Sequence, residues 1–160
     1  MSTLALDRLE RAIEAVSAVP DPEIPVVSIA DLGMVRAVRV AADGVVEVDL
    51  SPTYTGCPAT RLIGEEVRAA IEAAGLGTPR IRFLTSPAWT TDWITPEGLA
   101  ALERYGIAPP PRRADPDAPV ACPRCGSTDT EEISRFGSTP CKALWRCRSC
   151  GEPFDRFKCL

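Results

Sequence analysis

The sequence predicts a small α/β (α+β) domain, with helices on one face of a short sheet, followed by a module folded around a metal ion. Three observations support this prediction. Segments with helical spacing alternate with short segments of strand-like alternation up to about residue 107. A proline-rich stretch then interrupts the pattern over 108–119. Finally, six of the seven cysteines lie after residue 120, in paired spacings.

An amphipathic helix is predicted at the start of the chain. Leu6, Leu9, Ile13 and Val16 recur at spacings of three and four, with charged residues between them, which is the pattern of one apolar helix face. Pro20 ends the helix because proline cannot continue it. We expect these four apolar side chains to be buried.

Two strands joined by a hairpin are predicted next. Val38 and Val40 alternate with a polar residue, and the segment 46–50 alternates in the same way. The residues 42–44 between them, Ala-Asp-Gly, are typical of a hairpin turn, because glycine takes a positive φ without strain. One face of this pair is apolar and requires a cover.

The remaining elements of the first domain follow the same rules. Pro58 suits the first position of a second helix and Gly75 its end. Alternation predicts a third strand over 80–84 and helical spacing predicts a last helix over 96–105. The expected apolar positions in these elements are Ile63, Val67, Ala70, Ile71, Ala74, Ile81, Phe83, Leu99, Leu102 and Tyr105.

The proline-rich stretch gives the predicted domain boundaries. Five prolines occur within residues 108–119, a composition typical of a stiff, polar linker. We therefore expect an α/β domain over 1–107, a linker over 108–119 and a metal-bound module over 120–160.

Composition limits the classes of function. The net charge is −4, with −6 on residues 1–118 (11 Lys and Arg against 17 Asp and Glu) and +2 on the remainder, which is too weakly basic for an obvious nucleic-acid surface. No histidine occurs, so the commonest general base is missing. The first ten residues do not resemble a targeting peptide, and no apolar run would span a membrane. We therefore expect a cytoplasmic location.

The cysteine spacing predicts a structural zinc site. Cys122 and Cys125 form one Cys-x-x-Cys pair, Cys147 and Cys150 form another, and 21 residues separate the pairs. Two such pairs at this separation are typical of a zinc ribbon, in which four thiolates close a tetrahedron and leave no open position for catalysis. Iron bound in the same way is the alternative. A module of about forty residues needs such a metal because its core is small.

Two further cysteines lie outside these pairs. If 142–146 and 153–158 pair as the last hairpin of the ribbon, Cys141 and Cys159 fall at its far end, away from the metal. They are either small apolar residues of the module or a redox pair or second metal or cluster site. We expect Trp145, Phe154 and Phe157 to form the small core.

Cys57 stands alone in the first domain. If Pro58 begins the second helix, Cys57 is its N-cap, where the helix dipole and free N–H groups would lower the thiol pKa. Thr53, Thr55 and Thr60 add hydroxyl groups nearby. Without a histidine, a Cys–His hydrolase is excluded. Metal or cluster handling is therefore the preferred hypothesis, and a cap without chemistry is the alternative.

Several motifs resemble one known family. The segments 21–25 (DPEIP), 28–35 (SIADLGMV) and 55–58 (TGCP) resemble the MIP18 (DUF59) family, whose members are small α/β domains implicated in iron–sulfur cluster assembly or transfer. The segment 86–94 and the C-terminal ribbon are similar to the branch of this family that is encoded with phenylacetyl-CoA 1,2-epoxidase. That second similarity spans essentially the whole chain.

The resemblance implies roles for individual residues. Cys57 corresponds to the candidate functional cysteine of the family, with Thr55 in the same turn, and Asp21 and Glu23 to the acidic pair of its Asp-Pro-Glu motif. For the acidic pair, capping of backbone N–H groups in a proline-constrained turn is an equal alternative. The epoxidase is a di-iron oxygenase fed by an iron–sulfur flavin reductase. This chain has neither the histidines of such an oxygenase nor a dinucleotide fingerprint.

The first functional hypothesis is therefore a non-catalytic accessory protein of the epoxidase system. It would assist assembly of an iron–sulfur or iron centre in a partner subunit, with the iron–sulfur reductase preferred over the oxygenase. Cys57 would then carry a transient cluster or iron, with Cys141 and Cys159 as further candidates. The alternative is a structural docking subunit without cluster chemistry. Whether a cluster is shared between two copies in a homodimer is left open.

Overall fold

The computed structural model describes residues 3–112, 115 and 117–158 of the chain. Its contacts divide the chain into two compact units, Met1–Trp89 and Thr90–Leu160. The elements of the first unit are α1 (Thr3–Ser17), β1 (Val35–Val40), β2 (Val46–Leu50), α2 (Thr60–Ala73) and β3 (Arg80–Phe83). None of the described helices has the length and apolar character needed to cross a bilayer.

The first unit contains a three-stranded sheet in the order β1-β2-β3. β1 and β2 form the predicted antiparallel hairpin, whereas β3 lies parallel to β2. Val46, Val48 and Leu50 are fully buried, and Glu47 and Asp49 alternate with them on the opposite, charged face. The predicted fold class, a small sheet covered by helices on its apolar face, is confirmed.

The predicted apolar stripe holds for one helix of this unit and fails in part for the other. α2 buries Ile63, Val67 and Ile71, as predicted. The prediction for α1 is wrong in part, because Leu6 and Ile13 are 43% and 45% exposed. The buried residues of α1 are instead Ala12 and Val16, and the physical reason lies in two arginines.

Those arginines set the rotation of α1. The Arg8 guanidinium donates to the carbonyl of Gly44 at 2.9 Å and also to the carbonyl of Leu76. Arg11 donates to the carbonyl of Ala74. Both basic side chains therefore face the end of α2, and the helix turns its smaller apolar residues toward the core.

The second unit begins with one 3-10 turn, Thr91–Trp93, and α3 (Pro96–Arg104). Thr95 caps α3, since its hydroxyl oxygen accepts the N–H of Gly98 at 3.0 Å, and Pro96 occupies the first turn, where its missing N–H costs nothing. Leu102 is fully buried, but Tyr105 lies beyond the helix and is 56% exposed. The prediction that Tyr105 shares the buried side is therefore wrong.

A four-stranded sheet forms the rest of this unit. Its strands are β4 (Ile107–Ala108), β5 (Thr130–Ser134), β6 (Lys142–Cys147) and β7 (Pro153–Phe157), in the order β4-β7-β6-β5. The predicted terminal hairpin is present as β6 and β7, which pair antiparallel. The sequence pattern does not predict β4 or β5.

The start of the proline-rich stretch belongs to this sheet. Ile107 and Ala108 pair with Asp155 and Arg156 of β7 in parallel. The compact units divide after Trp89, so the observed division lies upstream of the stretch. The scheme of 1–107, 108–119 and 120–160 stays a prediction about domains.

The core of the second unit is small. Its buried residues are Ala108, Val120, Cys122, Cys147 and Phe154, with Trp145 packed against them. Phe157 is also fully buried. Two of the metal-ligand candidates thus belong to the apolar core itself.

Candidate metal centre and cysteine site

Four cysteine sulfurs converge at one end of the second sheet. The sulfur atoms of Cys122, Cys125, Cys147 and Cys150 all lie within 4.8 Å of one another. The Sγ atoms of Cys122 and Cys150 are 3.8 Å apart, and those of Cys125 and Cys147 are 3.6 Å apart. All four thiols are free. A tetrahedron with a metal–sulfur distance of about 2.3 Å has edges of about 3.8 Å, so the spacing fits zinc.

Two similar turns place the four sulfurs. The N–H of Gly126 donates to the carbonyl of Cys122 at 2.8 Å, and the N–H of Gly151 donates to the carbonyl of Cys147 at 2.9 Å. Both glycines have a positive φ, 75° and 78°, which side chains with a Cβ rarely adopt. Each Cys-x-x-Cys-Gly segment therefore folds into the turn that directs two sulfurs to one point.

The environment of the sulfurs favours thiolates. The N–H of Cys150 is 3.5 Å from the sulfur of Cys147, and this hydrogen bond lowers the pKa of Cys147 to about 7. Zinc binds the thiolate form. Because four protein ligands complete the tetrahedron, the bound metal would organise the fold and leave no position for a substrate.

Cys57 lies in a turn before α2 and not at its cap. Its carbonyl accepts the N–H of Thr60 at 3.1 Å and the hydroxyl of Thr60 at 2.7 Å. The N-cap is Ala59, whose side chain makes no capping hydrogen bond. The predicted cap position of Cys57 is therefore wrong, because this turn delays the first helical residue to Thr60.

The predicted lowering of the Cys57 pKa is also wrong. Burial is the largest cause that raises this pKa, and the nearby carboxylates of Glu23 and Asp21 raise it further. The N–H of Ala59 and the hydroxyl of Thr60 oppose this in part. The thiol is 9% exposed and neutral at rest.

The acidic motif lies beside this thiol. Asp21 is buried, and its Oδ1 accepts the N–H groups of Glu23 at 2.9 Å and Ile24 at 2.8 Å. Asp21 thus shapes the turn, as one of the two sequence interpretations proposed. Glu23 is half-buried and close enough to act on the charge of Cys57. The structure therefore brings Cys57, Asp21 and Glu23 together, although residues 21–23 and 57 are distant in sequence.

The hydroxyl contacts differ from the expectation. Thr55 is exposed, and the hydroxyl that acts on the Cys57 thiol belongs to Thr60. The signal for Thr60 was its position three residues after Cys57, which is the spacing of a helical turn.

Cys141 lies at the other end of β6 from the four sulfurs. It directly precedes β6, whose last residue is Cys147, and a strand of this length covers about 20 Å. Cys141 is 4% exposed, and its sulfur is 3.0 Å from the hydroxyl of Thr139. Its carbonyl accepts the N–H of Lys158 at 2.9 Å. Cys159 lies outside the described residues, so the pairing of these two cysteines stays a prediction.

Fold and site together define a protein that joins an α+β domain of the iron–sulfur assembly type to a zinc β-ribbon. Residues 9–78 match the family described as "Iron-sulfur cluster assembly protein", and residues 107–158 match "PaaD zinc beta ribbon domain". The expected resemblance to the MIP18 (DUF59) family is confirmed.

One relative matches over the full chain. An Escherichia coli (strain K12) protein, named as a component of 1,2-phenylacetyl-CoA epoxidase, is 46% identical over 163 residues, covering 100% of this chain and 98% of that protein. This chain belongs to the PaaD family of phenylacetyl-CoA epoxidase components.

Other relatives match the first part. A Porphyromonas gingivalis protein named "Fe-S protein maturation auxiliary factor" is 35% identical, over 64% of this chain and 97% of its own length. The crystal structure of a DUF59 domain from Bacillus anthracis has a TM-score of 0.56 at 21% identity, covering 62% of this chain and 94% of its own. That likeness concerns the fold alone.

Proposed function

We propose that this protein is a non-catalytic accessory protein that helps to install or repair an iron–sulfur centre in the phenylacetyl-CoA epoxidase system. The preferred client is the iron–sulfur reductase component. The observation that carries the proposal is the position of Cys57 beside Glu23 and Asp21, in a domain of the iron–sulfur assembly family. Relatives named as maturation auxiliary factors support it.

The ligand count favours transient carriage of a cluster. Iron–sulfur clusters are held by about four ligands, mostly cysteine thiolates. Cys57 is the one cysteine in the sequence of the first unit. A cluster on Cys57 therefore needs ligands from another source, either the client or a second copy of this chain. Such a shared cluster is readily passed on.

The raised pKa of Cys57 fits the same role. Iron binds the thiolate, so loading must release the thiol proton. Burial and the carboxylates of Glu23 and Asp21 disfavour that thiolate while no metal is present. The cargo is then held less tightly than by an unperturbed thiolate, which suits a donor. Free thiols at the described cysteines fit a reducing compartment, and the proposal places the protein in the cytoplasm.

The test is anaerobic reconstitution of the apo-reductase with ferrous iron and sulfide. Wild-type protein should accelerate the appearance of the cluster absorbance, and Cys57→Ser should abolish the acceleration. Cys141→Ser, which alters another buried cysteine, is the matched control and should retain it. Equal acceleration by Cys57→Ser and wild type would exclude Cys57 as the carrier.

A docking subunit without cluster chemistry is the second candidate. The observation that favours it is the Asp21 carboxylate, which is engaged in two backbone hydrogen bonds and serves the turn. This function predicts a stoichiometric complex with the oxygenase whose affinity is the same for wild type and Cys57→Ser. Size-exclusion chromatography with light scattering distinguishes the two candidates, since a carrier forms no such permanent complex.

A further inference from the structure

A large apolar pair is exposed at the end of β5. Ile133 is 52% exposed and Phe136, in the loop that follows, is 69% exposed. β5 is the last strand of its sheet, and no other strand among the described residues pairs with its outer side. Single exposed apolar residues are common on protein surfaces, so the surroundings of this pair decide whether it has a role.

The backbone around Phe136 is fixed. The hydroxyl of Ser134 accepts the N–H of Phe136 at 3.2 Å and donates to its carbonyl at 2.9 Å. The next residue, Gly137, donates its N–H to the carbonyl of Lys142 at 2.8 Å. A Cβ at Gly137 would lie 2.6 Å from Oδ1 of Asp155, so this position accepts glycine alone without a shift. The exposed ring is therefore held out by a tightly packed loop.

Cationic side chains border the ring. The Lys158 ammonium lies 4.5 Å from the centre of the Phe136 ring and donates to the carbonyl of Pro140 at 2.8 Å. Arg135 is exposed and makes no hydrogen bond or ion pair within the described part of the chain. Glu132 contributes one exposed negative charge at the margin. The border therefore has a net positive charge.

Neighbouring acidic groups do not neutralise this border. Glu131 is paired with Arg146 and Arg148, and Asp155 accepts from Ser138 at 2.8 Å and lies 3.4 Å from the Lys142 ammonium. These carboxylates are already satisfied inside the sheet. The positive charges of Arg135 and Lys158 are consequently presented outward.

We propose that the surface formed by Ile133, Arg135, Phe136 and Lys158, here called the Phe136 surface, docks the client protein. The inference rests on the proposed function and names the surface through which the client is recognised. Its occupant is a polypeptide segment with an apolar side chain flanked by carboxylates. A fixed aromatic residue suits an interface anchor because little conformational entropy is lost when it is buried, and the cations select acidic neighbours.

A single-stranded nucleic acid is the competing occupant, because an aromatic ring beside cations can stack on bases. Two cations are few for a phosphate backbone, and residues 119–160 have a net charge of only +2. The observations therefore favour an acidic protein segment.

The test measures binding of the full-length zinc-loaded protein to immobilised apo-reductase by biolayer interferometry. Phe136→Ser should weaken binding by about 10-fold or more, as for a central interface anchor. Tyr105→Ser is the matched control, since Tyr105 is an aromatic residue of the same unit with 56% exposure. It should leave the affinity unchanged.

A second pair of variants tests the charge. Arg135→Glu should weaken binding, whereas Arg68→Glu, on the exposed side of α2, should not. Raising the salt concentration from about 50 to 300 mM should weaken the wild-type complex, because salt screens exposed charges. Unchanged zinc content and tryptophan fluorescence establish that each variant is folded.

The proposal is overturned if the wild type does not bind the reductase, if folded Phe136→Ser binds as tightly as wild type, or if Tyr105→Ser weakens binding equally. Binding of a fluorescent oligouridine that depends on Phe136, without binding of the reductase, would replace it with the nucleic-acid interpretation. Cys57→Ser should bind normally while failing in reconstitution. Failure of docking and failure of cluster carriage are therefore separate results.

Discussion

Arg82 holds the carboxylate of Asp49 with two hydrogen bonds across neighbouring strands. Its Nε lies 2.8 Å from Oδ1, and its Nη2 lies 3.1 Å from Oδ2. Arg39, on the other neighbouring strand, lies 2.9 Å from the same carboxylate. One buried acidic residue of β2 thus connects both edges of the first sheet, on the face opposite the helices.

This relationship predicts how acid affects the fold. The pKa of Asp49 is lowered, first by Arg82 and then by Arg39. A carboxyl group with a depressed folded-state pKa contributes stability above its unfolded pKa of about 4, and that stability is lost as the pH falls through the folded pKa. Asp49→Asn should lower the Tm at pH 7 by about 5–10 °C, and the loss should shrink below about pH 4. Circular dichroism melts at several pH values measure this.

The control for Asp49 is Asp43→Asn. Asp43 pairs with Arg80 at 2.6 Å, but both side chains are about half exposed, and such pairs contribute little stability. Its Tm should remain within about 2 °C of wild type. Equal loss in the two variants would show that burial of Asp49 is not the cause.

Removal of zinc should unfold the ribbon. Structural zinc contributes on the order of 10 kcal/mol to modules of this size, and Cys122 and Cys147 belong to the apolar core that Trp145 covers. We expect one zinc per chain. A strong chelator, or the variant Cys147→Ser, should shift tryptophan emission to the red. Full zinc content with ordinary emission in Cys147→Ser would contradict the four-ligand site.

The matched control for that experiment is Cys57→Ser. Cys57 is also a buried cysteine, but it lies in the first unit and outside the four-sulfur group. This variant should retain zinc and ordinary tryptophan emission.

The reactivity of Cys57 should increase with pH. Burial and the carboxylates of Glu23 and Asp21 raise its pKa, and only the thiolate reacts readily with iodoacetamide. Modification should therefore be slow at pH 7 and increase as the pH passes through the raised pKa. Mass spectrometry of the zinc-loaded protein, read on the Cys57 peptide alone, gives the rate.

Glu23→Gln should accelerate that modification several-fold near pH 8, because loss of the negative charge lowers the Cys57 pKa. Glu65→Gln changes an exposed carboxylate of α2 and should have no effect. If Glu23→Gln slows the reaction or leaves it unchanged, the electrostatic influence of Glu23 on the thiol is refuted.

The arginine contacts of α1 predict a further loss of stability. Arg8→Met keeps much of the apolar stem but removes the donors to the carbonyls of Gly44 and Leu76. The Tm should fall by several degrees, about the value of one or two satisfied carbonyls. Arg61→Met, which alters a side chain 82% exposed on α2, should melt as wild type does. A similar Tm for both variants would contradict the role given to Arg8.

Local patterns were sufficient for part of this fold. The β1–β2 hairpin, α2, the β6–β7 hairpin and the four zinc ligands were predictable because turn residues, periodicity and Cys-x-x-Cys spacing lie within short stretches. The meeting of Cys57 with Glu23 was expected only from the family resemblance, since tertiary packing brings the two segments together.

Other features depended on distant groups. The rotation of α1 follows from the contacts of Arg8 with Gly44 and Leu76, which no local pattern contains. β5 carries Thr130-Glu131-Glu132 before its one large apolar residue, so its alternation is weak, and a bulge between Glu132 and Ser134 disrupts it further. The pKa of Cys57 was predicted in the wrong direction because the helix starts at Thr60 and burial outweighs the remaining hydrogen bonds.

The pairing of β4 with β7 has a practical consequence for dividing this protein into pieces. A fragment cut at residue 120 would lose Ile107 and Ala108 and leave the backbone of β7 bare on one side, an invitation to aggregate. Chimeras that exchange ribbons between relatives should therefore be joined near residue 90. Grafts joined within the prolines would carry an incomplete sheet.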